Sequence, residues 1–225
     1  MKKILIFLTI ILCACGLCAC ESPLYSKAKD NIAEIRNNIY IGENDDIKAT
    51  FMSGQREKEY VINGYATPLI DFGVITFALL GENVTRAKTG DFTLTIDGEN
   101  YEGKLELNPF DNTYVSDLGK KIDTQNDIIA SIKIGSFSSE TTLSLKSGLW
   151  KINSEEALKL ACKTLKSEIK DYDNDEWTSE VYVKIIHDEK ISSDKYFWYV
   201  NFVGRNGVNH SVIIDPHSKE ILAQK

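Results

Sequence analysis

Short apolar runs that alternate with polar residues, each bounded by turn residues, fill the chain from about residue 39 to 146. Phe92, Leu94 and Ile96 share one side of such a run, and the dipeptide Asp97 and Gly98 then signals a tight turn. Regularly spaced short strands without intervening helices are typical of a β-sandwich. We therefore expect residues 39–146 to form an immunoglobulin-like β-sandwich, although the cysteine pair of antibody domains is absent.

The pattern changes after residue 147. Asn153, followed by Glu155 and Glu156, is typical of a helix start, because a polar cap and early acidic residues both favour the N-terminal end of a helix. Apolar residues then recur at three- and four-residue spacing as far as Ile169, and three strand-like runs follow. Residues 147–225 are thus predicted to form a separate α+β domain, a helix laid on an antiparallel sheet.

This C-terminal segment resembles the PepSY domain, a small helix-plus-sheet module of secreted peptidase propeptides and bacterial envelope proteins. The residues that carry the resemblance are Ile152, Ser154, Glu155, Glu156, Ala157 and Ala161 around the helix start, residues 198–202, and Ile213, Ile214, Asp215, Ser218, Glu220, Ile221 and Leu222. Lys219 stands where the family usually has a glycine, so we expect that turn to differ. The resemblance implies a binding or inhibitory module and not a catalyst.

The first twenty residues resemble a bacterial lipoprotein signal. A basic start is followed by an uncharged apolar run over residues 4–17, and Leu17, Ala19 and Cys20 match the lipobox. The resemblance implies removal of residues 1–19 and attachment of diacylglycerol to Cys20. Because two acyl chains hold a protein stably at a bilayer, the mature chain is expected on the extracytoplasmic face of the cell membrane.

Two alternatives to processing at Cys20 remain. Residues 12–15 repeat the Leu-Cys-Ala-Cys pattern, but cleavage before Cys15 would leave only a short apolar run for the signal. An uncleaved membrane anchor would need about 20 apolar residues, which this segment barely supplies. Residues 20–38 are mostly polar, and we expect them to be a flexible tether or a short helix that Ser22 caps and Pro23 begins.

Charge and cysteine content narrow the choice of partners. The chain carries 33 acidic and 26 basic residues, a net charge of −7, which disfavours nucleic acid as a partner. Four of the five cysteines lie within the first twenty residues, so Cys162 is the one thiol expected in a processed chain. Without a second thiol no intrachain disulfide forms, and Cys162 is expected to be a small packing residue on the predicted helix.

No candidate for metal or cofactor binding fits its motif. Asp171, Asp173 and Asp175 alternate like calcium ligands, but the glycine and glutamate that an EF-hand needs later in the loop are missing, so a solvated loop is favoured and a weak calcium site is the alternative. The histidines His187, His210 and His217 lack the spacing of a zinc motif.

Residues 196–199 form an aromatic run that is interpreted mainly as a core face, with a carbohydrate or peptide platform as the alternative. An enzymatic site would have to combine dispersed groups such as Asp171, Asp173 and His187, so we expect no catalytic residues. The favoured function is a non-enzymatic, membrane-tethered lipoprotein that binds an envelope partner. The alternative is an inhibitor or chaperone of a secreted peptidase, which follows from the PepSY resemblance alone.

Overall fold

The computed structural model describes residues 22–59, 62–81, 87–169, 177–187, 195–205 and 207–225. Within these residues the chain forms two helices, α1 (Pro23–Lys29) and α2 (Ser154–Thr164), and one 3₁₀ turn, Ser147–Leu149. The strands are β1 (Ile32–Glu43), β2 (Ile47–Glu57), β3 (Leu69–Leu79), β4 (Thr89–Ile96), β5 (Glu99–Asn108), β6 (Thr113–Asp117), β7 (Ile128–Ile134), β8 (Phe137–Leu145), β9 (Ser179–His187), β10 (Tyr196–Gly204), β11 (Asn209–Ile214) and β12 (Ile221–Gln224).

Eight strands close into an antiparallel β-barrel in the order β1, β2, β3, β6, β5, β4, β7, β8. β8 returns to β1 through the pairs Tyr40 with Leu145 and Ile41 with Ser144, and these pairs close the sheet. Alternate side chains point inward and fill the interior with apolar groups such as Phe51, Phe77 and Leu94. The interior of a barrel of this size is just wide enough to be filled by side chains in this way.

Four further strands extend the same sheet beyond the barrel. β9 lies parallel to β1, with Ile32 opposite Val181, and β10, β11 and β12 follow in antiparallel order. Both helices lie on one face of this extension, where Leu24 and Ala28 of α1 and Leu158 of α2 share an apolar core with the inward residues of β9 and β10. We call α1, α2 and β9–β12 the C-terminal layer.

β1 belongs to both parts of the molecule. Ile39 is fully buried in the core of the C-terminal layer, whereas the next residue, Tyr40, is fully buried inside the barrel. Successive side chains of a strand point to opposite faces of a sheet, so one strand supports both cores. The barrel and the C-terminal layer are therefore built on a shared strand.

The expected immunoglobulin-like β-sandwich followed by a separate helix-plus-sheet domain is wrong, because the strands form a closed barrel and the remaining strands continue its sheet. A sandwich and a barrel both alternate inward apolar with outward polar residues, so the pattern in the sequence does not distinguish them. β1 also begins at Ile32, inside the segment expected to be a tether or short helix, and α1 packs into the C-terminal layer.

Several local predictions are confirmed. Ser22 caps α1 by accepting a hydrogen bond from the Tyr25 amide at 3.2 Å, with Pro23 at the first helical position. Asn153 forms a reciprocal capping box with Glu156 at the start of α2. The two residues between β4 and β5, Asp97 and Gly98, both have positive φ, as the favoured two-residue hairpin turn requires.

Candidate functional site

A cleft of about 340 Å³ opens where the barrel meets the C-terminal layer. Its volume lies within the range of about 300–1,000 Å³ that is usual for small-ligand sites. We call it the junction cleft and define it by Asn37, Asp123, Gln125, Ser147, Trp150 and Glu155. These residues come from β1, from the barrel segment before β7, from the 3₁₀ turn and from the start of α2.

The segment that joins β8 to α2 forms one wall of the cleft. It is tied to the barrel by the Lys146 amide, which donates to the Ile39 carbonyl at 2.9 Å. The indole of Trp150 then packs edge to face against Trp198 of β10, with ring centroids 5.2 Å apart and an interplanar angle of 80°. The Trp198 indole N–H donates to the Ile152 carbonyl at 3.1 Å, so the aromatic pair is oriented by a hydrogen bond.

The opposite wall is fixed by buried hydrogen bonds between the barrel and residues 122–124. Ser53 Oγ donates to the Ile122 carbonyl and accepts from the Ile122 amide, each at 2.8 Å. The Tyr40 hydroxyl donates to the Thr124 carbonyl at 2.7 Å, and burial raises the pKa of Tyr40 to about 12. Because the backbone groups of Ile122 and Thr124 are engaged, the position of this segment at the cleft is well determined.

Two polar atoms of the cleft lack a hydrogen-bond partner within the described part of the chain. They are Asn37 Oδ1 and Ser147 Oγ, and both atoms are buried. A buried polar atom without a partner costs about 1–3 kcal/mol, which explains why nearly all such atoms in native proteins are satisfied. Both atoms therefore have hydrogen-bonding capacity that no group of the described chain uses.

The neighbouring amide, Asn38, by contrast donates two hydrogen bonds from its Nδ2. Its Nδ2 donates to the Ile122 carbonyl at 3.2 Å and to Asp123 Oδ1 at 3.1 Å. On the helix side, Glu155 accepts from Lys159 Nζ at 2.7 Å and from the Tyr25 hydroxyl at 3.1 Å. These hydrogen bonds lower the pKa of Glu155, so it is a carboxylate at neutral pH.

The cleft is electrostatically suited to neutral or weakly basic groups. Among the residues that line it in the described part of the chain, Asp123 and Glu155 are acidic and none is Lys or Arg. The remaining polar lining consists mainly of carboxamides and hydroxyls, which both donate and accept hydrogen bonds. Lys159 compensates Glu155, so it is mainly the acidic Asp123 that disfavours an anionic ligand here.

Trp150 also lines a second cleft of about 260 Å³, together with Lys146, Tyr196, Asp215 and His217. Burial disfavours ionisation of Asp215, but hydrogen bonds from the backbone amides of Ser218 and His217 outweigh it and lower the pKa of this carboxyl. The aromatic run at residues 196–199 contributes both to the core and to a surface, because Phe197 is buried and Tyr196 lines this second cleft.

A cleft of about 470 Å³ between β1, β2, β3 and β9 has four basic residues in its lining: Arg36, Arg56, Lys58 and Lys184. Its buried centre is Glu34, which pairs with Arg36 and with Lys184 at 2.5 Å each. Burial opposes ionisation of Glu34, but the two cations outweigh it and lower the pKa of Glu34. Arg36 and Lys184 are therefore used inside the fold, which makes this cleft a weaker candidate than the junction cleft.

The residues singled out in the sequence do not converge on one site. Cys20, the expected lipidation residue, lies outside the described residues, as do the acidic residues at 171–175. His187 contacts the Tyr196 ring, His210 lies 3.7 Å from Glu168, and His217 lines the second cleft. In the part of the chain that is described, no group of three potential metal ligands occurs.

Cys162 is a packing residue of α2, as expected, and is 1 % exposed. Burial raises the pKa of its thiol to about 12, so the reactive thiolate is scarce at neutral pH. A nucleophilic role would require the opposite shift, because catalytic thiols have a lowered pKa. The thiol is therefore an unreactive part of the apolar core.

Sequence reasoning missed Asn37, Ser147 and Trp150. The one local signal was the pair of amides at 37 and 38, which interrupts the apolar alternation of β1 between Ile35 and Ile39. Polar residues at such positions of a buried strand require partners, and those of Asn38 are Ile122 and Asp123, 84 and 85 residues later in the chain. Ser147 and Trp150 reach the same cleft from a segment over a hundred residues after Asn37. Asn37, Ser147 and Trp150 come together only when the barrel closes, and local sequence patterns do not indicate that closure.

Comparisons of this chain with protein-family models, with curated proteins and with solved structures find no significant match. Among the described residues, no helix has the length and apolar character needed to cross a membrane. The chemistry of the junction cleft thus provides the main argument about function.

Proposed function

We propose that the chain is a lipid-anchored extracytoplasmic binding protein without catalytic activity, and that its envelope partner enters the junction cleft. The lipobox at Leu17, Ala19 and Cys20 supports the anchor and the location. The observation that carries the binding role is the pair of buried, unpartnered atoms, Asn37 Oδ1 and Ser147 Oγ, in one cleft beside Trp150.

The ionisable groups of the cleft favour binding over catalysis. Glu155 is held as a carboxylate by Lys159 and Tyr25, and its lowered pKa makes it a poor general acid at neutral pH. Asp123 accepts a hydrogen bond from Asn38, which also fixes the cleft wall. Neither carboxylate is paired with a nucleophile in the described contacts, so the arrangement supports recognition through hydrogen bonds and an aromatic surface.

The anchor is tested with Cys20→Ala in the full chain. Loss of metabolic labelling by a radioactive fatty acid, together with release from the membrane fraction, is expected. The matched control is Cys15→Ala, which should keep both the label and the membrane attachment. A chain that keeps its acyl label when Cys20 is replaced, but loses it when Cys15 is replaced, would contradict the assignment.

The binding role is tested by photo-crosslinking in the intact envelope. A benzophenone side chain at Gln125, which lines the junction cleft, is expected to give a defined adduct with protein or polysaccharide. The control position is Lys104, an exposed residue on the far barrel wall. The adduct should disappear in a chain that also carries Trp150→Ala. Identical adducts from both positions, or none from Gln125, would overturn the proposal.

A further inference from the structure

The junction cleft also indicates the chemical class of its ligand. Resting on the binding role proposed above, we infer that the junction cleft binds a neutral carbohydrate. Three independent properties of the cleft lead to this class: the unsatisfied polar atoms, the aromatic surface and the balance of charge.

The unsatisfied atoms favour a ligand that hydrogen-bonds at more than one point. Both atoms are buried in the free protein, so the ligand would engage them after the side chains of Asn37 and Ser147 rotate toward the cleft. Asn37 Oδ1 only accepts, so its partner must donate, whereas Ser147 Oγ both donates and accepts. Sugar hydroxyls do both, and several lie at neighbouring ring positions. A purely apolar ligand would leave these two atoms buried without partners, which is unfavourable.

The aromatic surface suits the apolar face of a sugar ring. Trp150 is only half-buried and lines the junction cleft, while its edge-to-face contact with Trp198 holds the indole in place. A ring whose orientation is fixed before binding loses little side-chain entropy when a ligand packs on it. A saccharide could place its C–H groups against the Trp150 ring while its hydroxyls hydrogen-bond to Asn37 and Ser147. It would then use the aromatic and the polar surface of the cleft together.

The charges argue against the main anionic alternatives. Asp123 and Glu155 line the cleft without a lining Lys or Arg among the described residues, so phosphorylated or carboxylated ligands are disfavoured. Carboxylates suit a saccharide because they accept hydrogen bonds from hydroxyl groups. The basic cleft around Glu34 lies elsewhere and does not share these lining residues.

The position of the cleft leaves two sources for such a ligand. Only Glu21 separates Cys20 from Ser22, the cap of α1, and Tyr25 of α1 donates to Glu155 at the cleft at 3.1 Å. Chain length sets an upper bound: two residues span at most about 7 Å, and one helical turn and a tyrosine side chain add the rest, so the cleft is within about 25 Å of an acylated Cys20. A sugar headgroup on a membrane lipid and a free or wall-borne glycan are both within reach.

The test uses the full chain in detergent micelles. Its binding to an array of neutral and acidic oligosaccharides is screened first, and the neutral oligosaccharide that binds best is then titrated into the protein by calorimetry. To separate the sources, the same sugar is offered free and as diglucosyl diacylglycerol in mixed micelles, with phosphatidylcholine as the blank. We expect neutral saccharides to bind. Trp150→Ala should weaken binding about tenfold, and Ser147→Ala about threefold or more.

A stability measurement separates recognition from a structural role. Ser147→Ala removes a hydroxyl without a partner in the described chain, so the melting temperature of the free protein should be unchanged or higher. The matched control is Ser53→Ala, which removes a buried hydroxyl with two partners and should lower the melting temperature.

Each outcome of these experiments has a definite meaning. Equal binding by the Trp150 variant, or a melting temperature lowered by Ser147→Ala as much as by Ser53→Ala, would overturn the site. Binding of acidic glycans alone, or of no glycan, would overturn the carbohydrate assignment. If a protein is then crosslinked at Gln125, the binding role stands and only the ligand class fails. If Gln125 gives no adduct either, both proposals fail.

Discussion

Trp150 and Trp198 meet edge to face at 5.2 Å, and this contact joins the linking segment of the barrel to the sheet of the C-terminal layer. Trp198 is 2 % exposed, whereas Trp150 is half-buried and reaches the surface. One indole is thus a core residue that positions the other at the cleft. The aromatic pair therefore links the packing of β10 to the shape of the candidate site.

The contribution of this pair to stability is measurable. Replacing Trp150 by Leu removes the aromatic contact and part of the buried area, and we expect a loss of about 1–2 kcal/mol in the free energy of unfolding. Trp150→Phe keeps an aromatic edge and should lose less than half as much. Chemical denaturation of both variants checks this, and equal losses for Leu and Phe would show that ring geometry contributes nothing.

A fully buried carboxylate fastens the β2–β3 loop to the C-terminal layer. Glu180 Oε1 accepts from the amides of Asn63 and Gly64 at 2.6 and 2.9 Å, and Oε2 accepts from the Tyr182 hydroxyl at 2.7 Å. Gly64 has φ of +88°, and an added Cβ would lie 2.6 Å from the Thr178 carbonyl oxygen, so a close backbone approach is part of the same contact.

We expect Glu180→Leu to reduce the free energy of unfolding by about 2–4 kcal/mol, because two buried amides lose their acceptor. Glu180→Gln keeps an oxygen for both amides and an N–H for Tyr182, so its loss should be about 1 kcal/mol. Hydrogen exchange at the Gly64 amide should accelerate in the Leu variant alone. Similar losses in the two variants would mean that the carboxylate does not hold the loop.

How much of this architecture follows from sequence is shown by β1. The strand region was expected to begin at Ile39, and the first part of β1 was expected to be a tether or short helix. Ile39, Tyr40 and Ile41 are all apolar, so the sequence does not indicate which side chain enters the barrel. That Tyr40 pairs with Leu145, about a hundred residues away, is not readable, because register between distant strands depends on the whole barrel.

The same limit applies to the candidate site. Trp150 belongs to a linker with neither helical nor strand periodicity, and its role arises only when Trp198 and Asn37 are brought beside it. Caps and turns were predictable because their partners lie within four residues. The order β3, β6, β5, β4 is not sequential and cannot be derived from local patterns, and regularly spaced alternating strands fit a sandwich as well as a barrel.

The buried Glu34 should give stability a specific dependence on pH. Its pKa in the folded chain is below the ordinary value of 4.5, so its stabilising effect is fully present above that pH and is lost as pH falls through the folded pKa. Glu34→Gln leaves Arg36 and Lys184 without their carboxylate and should cost up to about 3 kcal/mol at neutral pH.

The difference between wild type and Glu34→Gln should therefore shrink in denaturation curves recorded below pH 4.5. Asp91→Asn is the matched control, because it breaks the exposed ion pair with Lys104 and should change stability by less than about 1 kcal/mol at any pH. A Glu34 variant whose deficit is constant from acid to neutral pH would refute the role of its charge.

Lys219 adopts a left-handed backbone conformation, with φ of +68°, in the turn between β11 and β12. Its amide donates to the Asp215 carbonyl at 2.9 Å, so the turn keeps the geometry that a glycine would allow, and the expectation of a different turn is wrong in this respect. A side chain in this conformation costs about 1 kcal/mol or slightly more, whereas glycine adopts it freely.

We expect Lys219→Gly to raise the free energy of unfolding by about 0.5–1 kcal/mol. Lys219→Ala, which removes the same exposed side chain and its 4.0 Å contact with Glu156 but retains Cβ, should leave stability within about 0.5 kcal/mol of wild type. If Ala stabilises the chain as much as Gly in thermal denaturation, loss of the lysine charge and not relief of backbone strain is the cause.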